Sequence, residues 1–164
     1  NRLTGDFDLV AGASNSIRRS MLPLAEKIAA RIAKPSGQIY YGFSSALEPG
    51  VTGRLQIVIE NSQFVRFFYD EIFADTQDEI ENPELKPYYR QSKYHCPDYI
   101  STSGAGFNSL SDLLAKSVLT HQDLLGLRDL PYTDAENRAP DWDRYLSLAR
   151  VLQKEMQRDG VLPR

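Results

Sequence analysis

Cysteine occurs once in this 164-residue chain, at Cys96, and histidine twice, at His95 and His121. A single thiol excludes an internal disulfide, and these three side chains do not make the spaced Cys/His set of a zinc site. The adjacency of His95 and Cys96 is no evidence for a nucleophile and its base, because such groups must meet in space. Positive charge is not in excess either: 19 Lys and Arg stand against 22 Asp and Glu, for a net charge of -3 and a pI near 5.4. With no basic stripe interleaved with aromatic residues, broad nucleic-acid binding is excluded. Long apolar runs are missing, and none approaches the roughly 20 residues of a membrane-spanning helix. What remains, 41% hydrophobic and 25% charged residues, is the composition of a chain that buries a core.

The apolar pattern changes period along the chain. Ile17, Met21, Leu24, Ala25, Ile28 and Ile32 recur at helical spacing, which predicts an amphipathic helix whose apolar face packs on a core. Pro23 is comfortable in a first turn and costly in a helix interior, so either the helix begins near Ser20 or a kinked turn joins it to the preceding residues, and Lys34-Pro35-Ser36-Gly37 stops it. From residue 38 the pattern is that of strands. Ile39 to Phe43 is aromatic and β-branched, Pro49-Gly50 is a turn signal, and residues 55–60 and 64–70 alternate around Asn61-Ser62-Gln63 as an antiparallel hairpin. That loop has no glycine, so its turn type stays open.

The acidic residues Asp75, Asp78, Glu79, Glu81 and Glu84 read as a solvated segment, without the Asp-x-Asp-x-Asp-Gly order of a calcium loop. Tyr88, Tyr89 and Tyr94 supply rings that either stack on a planar ligand or cover the edge of the core. A helix near residues 110–119 is expected with Ser109 as its cap. Another, near 142–156, is announced by Pro140-Asp141 and ended by Asp159-Gly160, with Trp142, Tyr145, Leu146, Ala149, Leu152 and Met156 on its core face. Arg138, Arg144 and Arg150 are scattered on its polar side. The expected class is α+β, an antiparallel sheet covered by helices.

The stretch with most chemical content is Asp8-Leu9-Val10-Ala11-Gly12-Ala13-Ser14-Asn15-Ser16. Glycine lets a backbone approach a ligand closely, and a helix start offers N–H groups and a positive dipole end to an anion, with Ser14 and Ser16 adding hydroxyls. The same residue types also cap ordinary helices. The nine residues resemble the Asp-x-x-[Ser/Ala]-Gly-Ala-[Thr/Ser]-x-[Ser/Thr] signature of bacterial FMN-binding domains, such as those of sodium-pumping quinone reductase subunits and of Gram-positive surface lipoproteins of the pheromone-precursor type. The resemblance implies an FMN-binding-domain-like fold and a cofactor site of Asp8, Gly12, Ala13, Ser14 and Ser16. It places the esterified flavin phosphate on Ser14, where the family more often has threonine. It further implies no catalytic residue and no metal, a flavin transferase and a membrane-bound electron donor as partners, and an extracellular, membrane-anchored precursor.

Ser101-Thr102-Ser103-Gly104-Ala105-Gly106 echoes the Gly-Ala of the first motif. As an internal repeat it sets Gly106 where the hydroxyl belongs. In the alternative register, taken from the pheromone-type lipoproteins, the signature falls within residues 124–137, where there is no Gly-Ala-Thr. Either way the second unit lacks an attachment residue. The expected organisation is the tail of one FMN-binding-like unit over residues 1–34 and a second such unit over 38–158. Two functions follow from this: an FMN-binding module of a surface electron-transfer lipoprotein, or a flavin-free surface interaction or scaffolding domain that has kept the fold.

Overall fold

The structure is a computed structural model that describes residues 21–34, 37–96, 98–101, 104–134, 136 and 138–162. The chain divides into two compact units, Asn1–Gly37 and Gln38–Arg164. In the first, helix α1 (Leu22–Ile32) follows Met21 and carries Pro23 in its opening turn, where no intrahelical N–H is lost. None of its residues is buried, and Met21, Leu24, Ile28 and Ile32 are exposed. The expectation that this apolar stripe is core is therefore corrected: spacing marks a face as apolar but does not supply a partner for it.

The second unit is an α+β fold built on three antiparallel strands in sequential order, β1 (Gln38–Glu48), β2 (Val51–Glu60) and β3 (Gln63–Phe73). Pro49-Gly50 joins the first pair. Gly50 has φ +80, and its carbonyl accepts the Ala74 N–H at 2.8 Å. The second hairpin turns on Asn61 and Ser62 alone, with Glu60 opposite Gln63 and positive φ values of 51 and 63. Asparagine tolerates the left-handed region, which closes the tight turn without glycine. A register shift between Val58 and Ile59 breaks the alternation, so that Ile57, Val58 and Ile59 are buried in succession.

One face of the sheet is covered by α2 (Phe107–His121), which packs on β3, and by α3 (Pro140–Arg158), which packs on β1 and β2. Helix α2 starts two residues before the expected cap: Gly106, and not Ser109, is its N-cap. The stripe of α3 is core as expected. Trp142, Tyr145, Ala149, Leu152 and Met156 are buried against Leu55, Ile57, Phe67 and Tyr69, and the Trp142 indole N–H donates to the Pro131 carbonyl at 2.9 Å.

The segment between β3 and α2 folds back on the sheet. Ile72 bridges to Ser92, while the Phe73 N–H donates to the Gln91 carbonyl at 3.0 Å and the Lys93 N–H to the Glu71 carbonyl at 2.8 Å. Residues 91–93 thereby cap the outer edge of β3 through an isolated antiparallel bridge. The acidic residues from 75 to 84 are exposed, around a short 3-10 turn (Gln77–Glu79) and the buried anchor Ile80.

Candidate functional site

Asp8, Gly12, Ala13, Ser14 and Ser16 lie outside the described residues. Their echo in the second unit lies mostly within them. Gly104 takes φ +80 and its N–H donates to the Ser101 carbonyl at 2.8 Å. The Ser101 N–H donates to the Ala105 carbonyl at 2.9 Å, and Ile100 bridges to Gly106. These contacts lead into α2 with Gly106 in extended conformation as N-cap. A hydroxyl-bearing residue at that point would stand at the helix start; glycine has no acceptor atom to offer.

This turn is tied to a buried polar cluster that no local pattern announced. The Ser101 hydroxyl donates in a short hydrogen bond to the carboxylate of Asp141, in the first turn of α3, and both residues are buried. A carboxylate there also complements the positive end of the helix dipole. At the centre, Lys93 Nζ lies 2.5 Å from Glu71 Oε2, with both side chains fully excluded from solvent. Tyr69, two residues before Glu71 and so on the same face of β3, donates its hydroxyl to Glu71 Oε1 at 2.6 Å. Arg144 Nη1 is 3.6 Å from Glu71 Oε2, and its Nη2 pairs with Glu48 at 2.8 Å. The Lys93 ammonium is boxed by the rings of Tyr99, Phe73 and Phe107, at 4.8, 5.2 and 5.9 Å from their centroids.

The electrostatics follow from burial. Burial pushes the Tyr69 hydroxyl well above the ordinary tyrosine range, and the neighbouring Glu71 carboxylate adds to the effect. For Arg144 burial works against the charge, but the carboxylates of Glu71, Glu48 and Asp141 outweigh it and hold the guanidinium above its usual value. Arg144 is therefore not one of a scattered polar set, as its spacing with Arg138 and Arg150 suggested, but a half-buried member of this network.

Comparison with protein-family models, curated proteins and solved structures finds no match to this chain. Among the described residues no group of three or more His, Cys, Asp or Glu is arranged to hold a metal ion, and no helix is long and apolar enough to cross a membrane. Cys96 is buried, and His95 stacks edge-on against Tyr94 at 5.0 Å. The tyrosines expected either to stack on a ligand or to cover the core edge do the latter in two cases: Tyr88 stacks on Phe73 at 5.7 Å, and Tyr94 meets Phe68 at 5.0 Å.

On the face of the sheet away from the helices, Thr52, Arg54 and Gln56 of β2 are exposed. A hollow of about 690 Å³ is lined by Tyr40, Gly42, Gln56, Val58 and Phe68 together with Leu119 of α2. Gly42 forms a bare patch, since a Cβ added there would meet nothing within 4 Å.

Proposed function

We propose that this chain is the FMN-carrying module of a surface electron-transfer lipoprotein, with the flavin phosphate esterified to Ser14 and a second unit of related fold that carries no flavin. The observation that carries this reading is the echo of the motif. In the second unit Gly104-Ala105-Gly106 makes a glycine turn into the N-terminus of a 15-residue helix, the local form that a phosphate-binding turn requires. Asp8 to Ser16 share the Gly-Ala step and keep a hydroxyl residue after it, whereas the second unit has Gly106 there.

On this reading Gly12 and Ala13 admit the phosphate close to the backbone, Ser14 supplies the ester oxygen, and Asp8 and Ser16 flank the turn. FMN supplies the redox chemistry when bound, and the protein contributes binding and orientation. No base or nucleophile of this chain is called on. A separate transferase makes the ester, and a membrane-bound donor reduces the flavin.

The second reading is a flavin-free interaction or scaffolding domain, favoured by the exposed outer face of β2 and by Gly106. Intact mass and in-gel fluorescence after exposure of the full chain to a flavin transferase separate the two. The expected result is covalent yellow fluorescence and the added mass of one FMN less one water, both lost in Ser14→Ala. Absence of flavin on the wild-type chain, or its retention by Ser14→Ala, overturns the assignment and leaves the scaffolding function.

A further inference from the structure

We propose that Lys93 and Glu71 are joined by an intramolecular isopeptide bond. Several independent features place the two groups for it. Backbone pairing of Ile72 with Ser92 sets Glu71 and Lys93 opposite each other across the capped edge of β3. Their side chains then meet at 2.5 Å, both fully buried, inside a box of Phe73, Tyr99 and Phe107. Enforced proximity of this kind makes a condensation that is slow between separate molecules effectively unimolecular.

The reaction balances within the pair. One proton passes from the Lys93 ammonium to the Glu71 carboxylate along their hydrogen bond, giving amine and carboxylic acid. The Nζ lone pair then attacks Cδ and forms the C–N bond. Charge developing on Oε1 is held by the Tyr69 hydroxyl, which already donates to that oxygen at 2.6 Å. On collapse the Cδ–Oε2 bond breaks, beside Arg144 Nη1 at 3.6 Å, and Oε2 leaves as water with a proton taken from Nζ. No oxidant, reductant or further reactant enters. The amide replaces one buried positive and one buried negative charge, so the net charge of the cluster is unchanged and the cost of keeping two ions out of water is relieved. Arg144 keeps its own partner, Glu48, at 2.8 Å.

The bond would weld the segment before the glycine turn to the sheet. It is read directly from the mass of the full, folded and then denatured chain, measured alongside Lys93→Arg, which keeps the charge and lacks the nucleophile. The expected result is a wild-type mass lower than the sequence mass by one water, and a proteolytic digest with a branched fragment joining the peptides of Glu71 and Lys93. Lys93→Arg should show the full sequence mass. A wild-type mass equal to the sequence mass overturns the proposal, as does loss of water without that branched fragment. Neither readout depends on flavin, so the outcome stands apart from the assignment of Ser14.

Discussion

Two tyrosines show how burial turns a neutral side chain into a determinant of alkaline stability. The Tyr145 hydroxyl donates in a short bond to the Leu124 carbonyl, and that of Tyr69 to Glu71. Burial, aided by Asp123 near Tyr145 and by Glu71 near Tyr69, raises both above the ordinary value of 10.0. In the unfolded chain they ionise near that value, so above it the native state binds more protons than the unfolded state. Stability is then fully present below about pH 10 and falls as pH rises further. Urea unfolding at about pH 8 and about pH 11 should show this decline. Tyr145→Phe should lose about 1 kcal/mol at the lower pH, through the lost hydrogen bond, and show a shallower fall between the two. An equal slope in wild type and variant would refute the assignment. Lys93 shows the opposite limit of legibility. It stands in the polar and aromatic stretch from Tyr88 to Tyr94, where nothing local singles it out, yet its partner 22 residues upstream makes it the most enclosed cation described.

The two hairpins are legible for different reasons. Pro49-Gly50 announces its turn in sequence, and the structure adds why glycine is required there. A Cβ on Gly50 would lie 2.5 Å from the Glu79 carbonyl oxygen and 2.7 Å from Ile80 Cα, in a backbone conformation with positive φ. Both neighbours are backbone, so nothing flexible yields. Gly50→Ala should therefore destabilise by about 2 kcal/mol or more, from left-handed strain plus the clash. A thermal midpoint within a degree or so of wild type would contradict that. Asn61-Ser62 carries a weaker signal, and its turn type came only from the pairing of Glu60 with Gln63. Leu110, Leu113, Leu114 and Val118 mark helix α2 in the sequence, yet Leu113 is exposed while the other three are buried, and the start of the helix was misplaced. Ser109 is a good cap by type, whereas the pairing of Ser101 with Ala105 and of Ile100 with Gly106 delivers Gly106 to the cap position.

At the scale of the molecule, the hydrophobic core formed by the described residues is drawn from those after Gly37. A chain cut to residues 38–164 is thus expected to fold on its own with a single cooperative transition, observable by circular dichroism and urea titration. Under the proposed function it should take up no flavin from the transferase, while the full chain does. Failure of this piece to fold would show that the first unit contributes stability that the core composition does not reveal.

Sequence alone determined the α+β class, the hairpin of β2 and β3 and the core stripe of α3. These depend on period and residue type, which neighbours in the chain express. Only the tertiary structure decided that Lys93, Glu71, Tyr69, Asp141 and Arg144 form one cluster, and that the apolar stripe of α1 is exposed. The physical reason is common to both. A side chain's cost or gain on burial depends on what register and packing bring beside it from distant segments, and neither spacing nor composition carries that information.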